Sequence, residues 1–246
     1  MTHQDEVRTF YDGFSGTVLA RDFGALSLRL LAIQDLIARF VPEGSKVLEV
    51  GCGVGILTLF LQERRCAVHS LDISPRNVET AREVAPLGTF EVMDVTADVA
   101  SLRARAPFDR ILLADVIEHL PAAVRPRVLA TLESLLAADG LVLLSYPSPE
   151  YQEHLRRNDP AALQVIDETV RLEDLLRETS LRPVHFTYRD VWLKDQYVHL
   201  VLRRPGAFGN EPLRTSRFRQ LVYRLGNRLW RFRTRGIRAR LARLTR

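Results

Sequence analysis

The run Glu49-Val50-Gly51-Cys52-Gly53-Val54-Gly55 sets three glycines at alternate positions directly after an apolar stretch, and Asp72 follows Gly51 by 21 residues. Glycine has no Cβ, so such a run lets the chain turn sharply and lets a ligand lie against the backbone. A carboxylate at the distance of Asp72 can accept hydrogen bonds from both hydroxyls of an adenosine ribose. Nicotinamide dinucleotides use the same device, but their fingerprint is G-x-G-x-x-G, and the spacing here is G-x-G-x-G. Glu49, just before the turn, is expected to repel a pyrophosphate and to suit a ligand carrying an ammonium and a sulfonium. The glycines taken alone leave open, as the lesser alternative, a tight strand-to-helix connection that binds nothing.

Glu49-Val50-Gly51-Cys52-Gly53-Val54-Gly55, with Leu71-Asp72-Ile73-Ser74, resembles the class I S-adenosylmethionine-dependent methyltransferases over about residues 10–203. The resemblance implies S-adenosylmethionine as the cofactor. It implies that Gly51, Gly53 and Gly55 pack against its methionine part, that Asp72 holds the ribose, and that Glu49 and Ile73 belong to the same site. In Val92-Met93-Asp94-Val95, Asp94 and the Val95 backbone are expected at the adenine. Ala114-Asp115 is expected to face the methionine moiety and the acceptor, and Tyr11, within Phe10-Tyr11-Asp12, to fold over the cofactor.

Methyl transfer is an in-line displacement, so alignment supplies much of the catalysis, and an alcohol acceptor also needs a base for its proton. Candidate bases occur in Asp115-Val116-Ile117-Glu118-His119 and in Ser148-Pro149-Glu150-Tyr151-Gln152-Glu153-His154. Both segments follow apolar runs, which sets His154, His119 and Asp115 ahead of His69, His185 and His199. Asp115, Glu118 and His119 also resemble the metal-binding run of small-RNA 2′-O-methyltransferases and ubiquinone-pathway O-methyltransferases, which would use Mg²⁺ or Zn²⁺ to acidify a hydroxyl. The ligand set is incomplete, with His154 the only evident fourth member, so no metal is assigned. Ser145–Tyr151 and Leu163–Asp167, with Tyr197, resemble bacterial methyltransferases of surface-polysaccharide and natural-product synthesis, although Gln196-Tyr197-Val198-His199 replaces their usual Asp-Tyr-Gln element. That likeness implies an acceptor-covering insertion at about 147–170 and an O-methylated sugar, glycan or other polar hydroxyl.

The elements needed to position these residues are legible as apolar runs alternating with helical periodicity. Strands are expected at Lys46–Gly51, Ala67–Asp72, Thr89–Met93, Arg110–Ala114 and Gly140–Tyr146, with helices at Gly55–Glu63, Pro75–Ala85 and Ala122–Ala137 between them. Continuous apolar strands joined by crossover helices indicate a mostly parallel sheet covered on both faces. An amphipathic helix at Phe23–Phe40 precedes them. After Pro147 an irregular stretch leads to a helix near Leu172–Thr179, then to strands at about Arg182–Trp192 and Tyr197–Arg203 that suggest an antiparallel edge hairpin. The expected fold is thus α/β, doubly wound and seven-stranded. An N-terminal helical cap (1–44) leads into a donor-binding domain (45–203), and a basic amphipathic tail (204–246) follows.

Composition adds bounds. The chain has 246 residues, 46% of them hydrophobic, and only two cysteines, Cys52 and Cys66, so a disulfide framework is not expected. No uncharged apolar run approaches the roughly 20 residues of a membrane span, and the first residues lack a signal-peptide apolar region, so a cytoplasmic location is expected. The net charge of +5 conceals +13 over residues 203–246 against −8 elsewhere. From Ser216, Phe218, Leu221, Val222, Leu225, Leu229 and Phe232 recur at helical spacing among arginines, with Trp230 nearby. Such a helix suits an anionic membrane surface, which would agree with a lipid-linked glycan acceptor; packing on the domain or in a homodimer, and nucleic acid, are the competing partners. An RNA methyltransferase and a non-catalytic cofactor-binding partner protein remain the alternative functions.

Overall fold

In β1 (Lys46–Val50), Val47 faces one side of the sheet and Leu48 and Val50 the other, and all three are buried. Burial on both faces is why the strand reads as an unbroken apolar run. The same alternation recurs in β4 (Phe108–Ala114), where Leu112 joins Val47 while Ile111 and Leu113 join Leu48. The computed structural model describes residues 27–97, 100–160, 163 and 166–206, and every element below lies within the unit Met1–Pro205.

Between these strands run α2 (Ile56–Glu63), β2 (Ala67–Asp72), α3 (Pro75–Val84), β3 (Thr89–Val92) and the short α4 (Ala100–Arg103). They follow α1 (Leu28–Phe40), which the Ser27 hydroxyl caps by accepting from the Leu30 N–H at 3.2 Å. After β4 come a 3₁₀ turn (Ile117–His119), α5 (Arg125–Leu135), β5 (Leu136–Pro147), α6 (Pro149–Asn158), α7 (Leu172–Arg177), β6 (Arg182–Arg189) and β7 (Tyr197–Arg203).

The seven strands lie in the order β3-β2-β1-β4-β5-β7-β6; β1 to β5 are parallel, and β7 runs antiparallel between β5 and β6. One core holds α1 and α2 against Val47, Leu112, Leu143 and Val201; the other holds α5 and α7 against Leu48, Ile111, Leu113 and Leu144. The order reverses between β1 and β4, so their carboxyl ends open the crevice in which ligands of doubly wound sheets bind.

One expected element is corrected. The stretch after Pro147 is not irregular at its start but forms α6, with Ser148 Oγ accepting from the Tyr151 N–H at 3.2 Å and Pro149 in the first turn. Ser followed by Pro is a helix-start signal that the sequence reading passed over. Among the described residues no helix is long and apolar enough to cross a membrane. The basic tail beyond Gly206 lies outside the described residues.

Candidate functional site

The glycine turn is built from one strand's end onto another's. The N–H groups of Gly51 and Cys52 both donate to the Leu71 carbonyl, at 2.8 and 2.9 Å, and Gly51, Gly53 and Gly55 all have positive φ. A Cβ on Gly51 would sit 2.4 Å from Cγ2 of Val116, so bareness at 51 lets the β1 and β4 loops meet. A Cβ on Gly53 would meet nothing within 4 Å, because this residue faces open space. The Asp72 carboxylate, nearly buried, accepts from the Gly53 N–H at 2.8 Å, the Ser74 N–H at 2.9 Å and Asn77 Nδ2 at 3.1 Å. It thereby ties the turn to the start of α3.

That open space is a cleft of about 640 Å³. It is lined by Gly51, Gly53, Asp72, Ile73, Met93, Asp94, Val95 and Ala114 and also by Arg29, Asp115, His119, Tyr151, Trp192 and Tyr197. The Asp94 carboxylate accepts from the N–H and hydroxyl of Thr96, at 2.8 and 2.7 Å, and so shapes the turn that carries Val95. Asp115 adopts a left-handed backbone, φ 54°, and forms an ion pair with Arg29 of α1. His119 Nδ1 lies 2.6 Å from the Ile166 carbonyl oxygen, and burial holds this imidazole below its ordinary pKa. Glu118, 1% exposed, is pushed up to about 8, chiefly by burial, and its Oε1 stands 3.9 Å from His119 Nε2.

A family model described as "Methyltransferase domain" matches residues 26–183, more than half of the chain. The chain belongs to the methyltransferase-domain family. Its relatives include the ubiquinone biosynthesis O-methyltransferase of Caulobacter sp. (strain K31), 31% identical over 105 residues that cover 42% of this chain and 41% of the relative. The enzyme of that name from Xanthomonas campestris pv. campestris (strain B100) is 28% identical over 121 residues, covering 48% and 50%. The chain thus spans about half the length of the curated relatives it matches. Among solved structures, magnesium protoporphyrin IX methyltransferase from Synechocystis PCC 6803 with bound S-adenosylhomocysteine superposes with a TM-score of 0.62 at 19% identity, over 82% of this chain and 99% of that one. The N-methyltransferase NodS from Bradyrhizobium japonicum WM9, in complex with the same compound, gives 0.61 at 16%, over 80% and 100%. These likenesses establish a shared fold.

In this methyltransferase domain, Gly51, Gly53, Asp72, Ile73, Asp94, Val95, Ala114, Asp115 and His119 all line one cleft. Three expected residues do not. Glu49, 2% exposed, lies beneath the turn, where its carboxylate accepts from Thr58 Oγ1 at 2.5 Å and Ser70 Oγ at 2.8 Å. Burial raises it to about 7 against the opposing pull of those two hydroxyls. Gly55 contacts no ligand space; a Cβ there would lie 2.9 Å from Cα and Cβ of Ala81, so its bareness lets α2 pack on α3. His154 is exposed on α6 and bonded to Asn158 Nδ2 at 3.1 Å, outside the cleft lining. With His154 turned away, no group of three or more His, Cys, Asp or Glu among the described residues is arranged to hold a metal ion. Tyr11 lies outside the described residues.

The sequence reading missed Arg29, Asn77, Tyr151 and Trp192 as cleft residues. For Asn77 a signal existed: Ser74-Pro75 opens α3, and the third residue after a cap returns toward the strand end. For Tyr151 the Ser148 cap was the equivalent signal. Arg29 and Trp192 depend on contacts distant in sequence and had none.

Proposed function

We propose that the protein is an S-adenosylmethionine-dependent methyltransferase that transfers a methyl group to a hydroxyl of a small polar acceptor, with a sugar or glycan hydroxyl as the leading class. The cleft fits such a donor. Gly53 leaves open space against the backbone, and the carboxylates of Asp72 and Asp94 line that space, which suits a cationic nucleoside. When bound, S-adenosylmethionine supplies a methyl group activated on a positively charged sulfur.

The observation that carries the hydroxyl reading is the bond between His119 and Ile166. A carbonyl oxygen can only accept, so His119 Nδ1 carries the hydrogen and Nε2 carries the lone pair. Burial keeps the ring neutral near pH 7. His119 Nε2 can therefore take the proton of an acceptor hydroxyl as the oxygen forms its bond to the methyl carbon. Asp115 and Arg29, paired in the same cleft, orient polar groups of the acceptor. The O-methyltransferase relatives support this choice of atom.

The test is release of S-adenosylhomocysteine on incubation with S-adenosylmethionine and a panel of pyranosides, phenols and primary amines. Acceptor-dependent release confined to hydroxyl compounds is expected. Release with the amines alone contradicts the proposal.

A further inference from the structure

We infer that Trp192 is the specificity-determining residue of the acceptor subsite, a stacking face for a hydroxyl-bearing six-membered ring, and that Gln196 is the positioning residue that holds it there. The inference rests on the hydroxyl-acceptor reading above and deepens it.

Trp192 lines the cleft yet is 58% exposed. A solitary exposed tryptophan is unremarkable, but here the turn that presents it is secured from within. The side-chain oxygen of Gln196, a residue 2% exposed, accepts the N–H of Trp192 at 2.9 Å and that of Leu193 at 3.2 Å. The Val191 N–H adds a bond to the Leu193 carbonyl at 3.3 Å, and the Asp190 carboxylate accepts from the Asp195 N–H at 2.8 Å. A buried carboxamide spent on two loop amides fixes the backbone that carries the indole.

Gln196 also reaches the second element of the subsite. Its backbone carbonyl accepts the Ser148 N–H at 2.8 Å, and Ser148 in turn caps α6, which carries the cleft residues Tyr151 and Leu155. The next residue, Tyr197, lines the cleft and packs with Ala32 and Val191. One residue thus sets the backbone on which Trp192, Tyr151 and Tyr197 are mounted. An indole offers a flat, polarisable surface that favours stacked rings, whereas an open-chain polyol gains little from it. The ring can be a phenol, stacking through its π face, or a pyranose, stacking through its C–H bonds; both present a hydroxyl.

The experiment uses the full chain with catechol, methyl β-D-glucopyranoside and glycerol. Fluorescence of Trp192 is followed in a Trp230→Phe background, since these are the only two tryptophans, and methyl-transfer kinetics are measured in parallel. At least one ring compound should shift the fluorescence and glycerol should not; the responsive ring identifies the source. For that ring, Trp192→Ala should raise KM about tenfold with kcat little changed, and Trp192→Phe should restore most of the loss. Gln196→Ala should reproduce the KM defect, and Gln196→Glu, which keeps an accepting oxygen, should not. Calorimetry with S-adenosylhomocysteine should give wild-type affinity in every variant, confirming an intact fold. A fluorescence response without methylation upholds the stacking face and contradicts the hydroxyl reading. Methylation of a ring with unchanged KM in Trp192→Ala overturns the inference and leaves that reading in place.

Discussion

His119 Nδ1 lies 2.6 Å from the carbonyl oxygen of Ile166, 47 residues along the chain, and that contact fixes which imidazole nitrogen is basic. The segment supplying the carbonyl is itself secured: the Glu168 N–H donates to the Glu118 carbonyl at 2.8 Å, and Gln152 Nε2 donates to Asp167. Removing the ring should therefore act on turnover and spare donor binding. His119→Ala is expected to lower kcat by about 10²–10⁴-fold, with S-adenosylhomocysteine affinity unchanged by calorimetry. Because burial lowers the His119 pKa from 6.5, the acid limb of the wild-type kcat profile should fall below pH 6.5. A limb above that value contradicts the assignment.

Glu49 and Glu118 make a prediction about stability. Burial raises them from 4.5 to about 7 and about 8 respectively, so in the folded chain each holds its proton at a pH where the unfolded chain has released it. The unfolded state then binds fewer protons, and stability falls as pH rises from about 4.5 through the two folded values. Across its window Glu49 should cost roughly 3 kcal/mol and Glu118 roughly 5 kcal/mol. Urea denaturation at pH 5, 7 and 8.5 should show this decline, and Glu118→Gln should flatten its upper part. An undiminished decline in the variant would locate its origin elsewhere.

Gly53 and Gly55 separate two uses of a bare Cα. Both have positive φ, but a Cβ on Gly53 meets open space and one on Gly55 meets the Ala81 backbone at 2.9 Å. Gly55→Ala is expected to destabilise the fold by about 2–4 kcal/mol, from backbone strain and overlap together. Gly53→Ala should cost only about 1–2 kcal/mol, from strain alone, and should weaken donor binding. Thermal unfolding and calorimetry on the two variants check this; equal unfolding temperatures would contradict it.

The strands were legible because Val47, Leu48, Ile111, Leu112 and Leu113 are buried on whichever face they point to, leaving unbroken apolar runs. Asp72 and Gly53 were legible for a related reason: a glycine-rich turn after one strand and an acid ending the next are local features whose meeting the parallel register guarantees. Glu49 was misplaced because charge alone pointed it at a ligand. Strand alternation puts it on the same face as Val47, toward the helices, where Thr58 and Ser70 absorb its carboxylate. His154 was misplaced because the segment was read without a helix, and α6 is what turns Tyr151 and Leu155 to the cleft and leaves His154 in solvent. Arg29 pairs with a residue 86 positions away, a meeting that tertiary packing alone decides.

The account turns on a donor lying over Gly53 within reach of Asp72. Titration calorimetry of the folded chain with S-adenosylhomocysteine tests this most directly. One equivalent should bind, Asp72→Asn should weaken binding about tenfold, and His154→Ala should leave it unchanged. A folded wild-type sample that evolves no binding heat at any temperature tried, and protects none of its cleft from hydrogen exchange, would contradict the account.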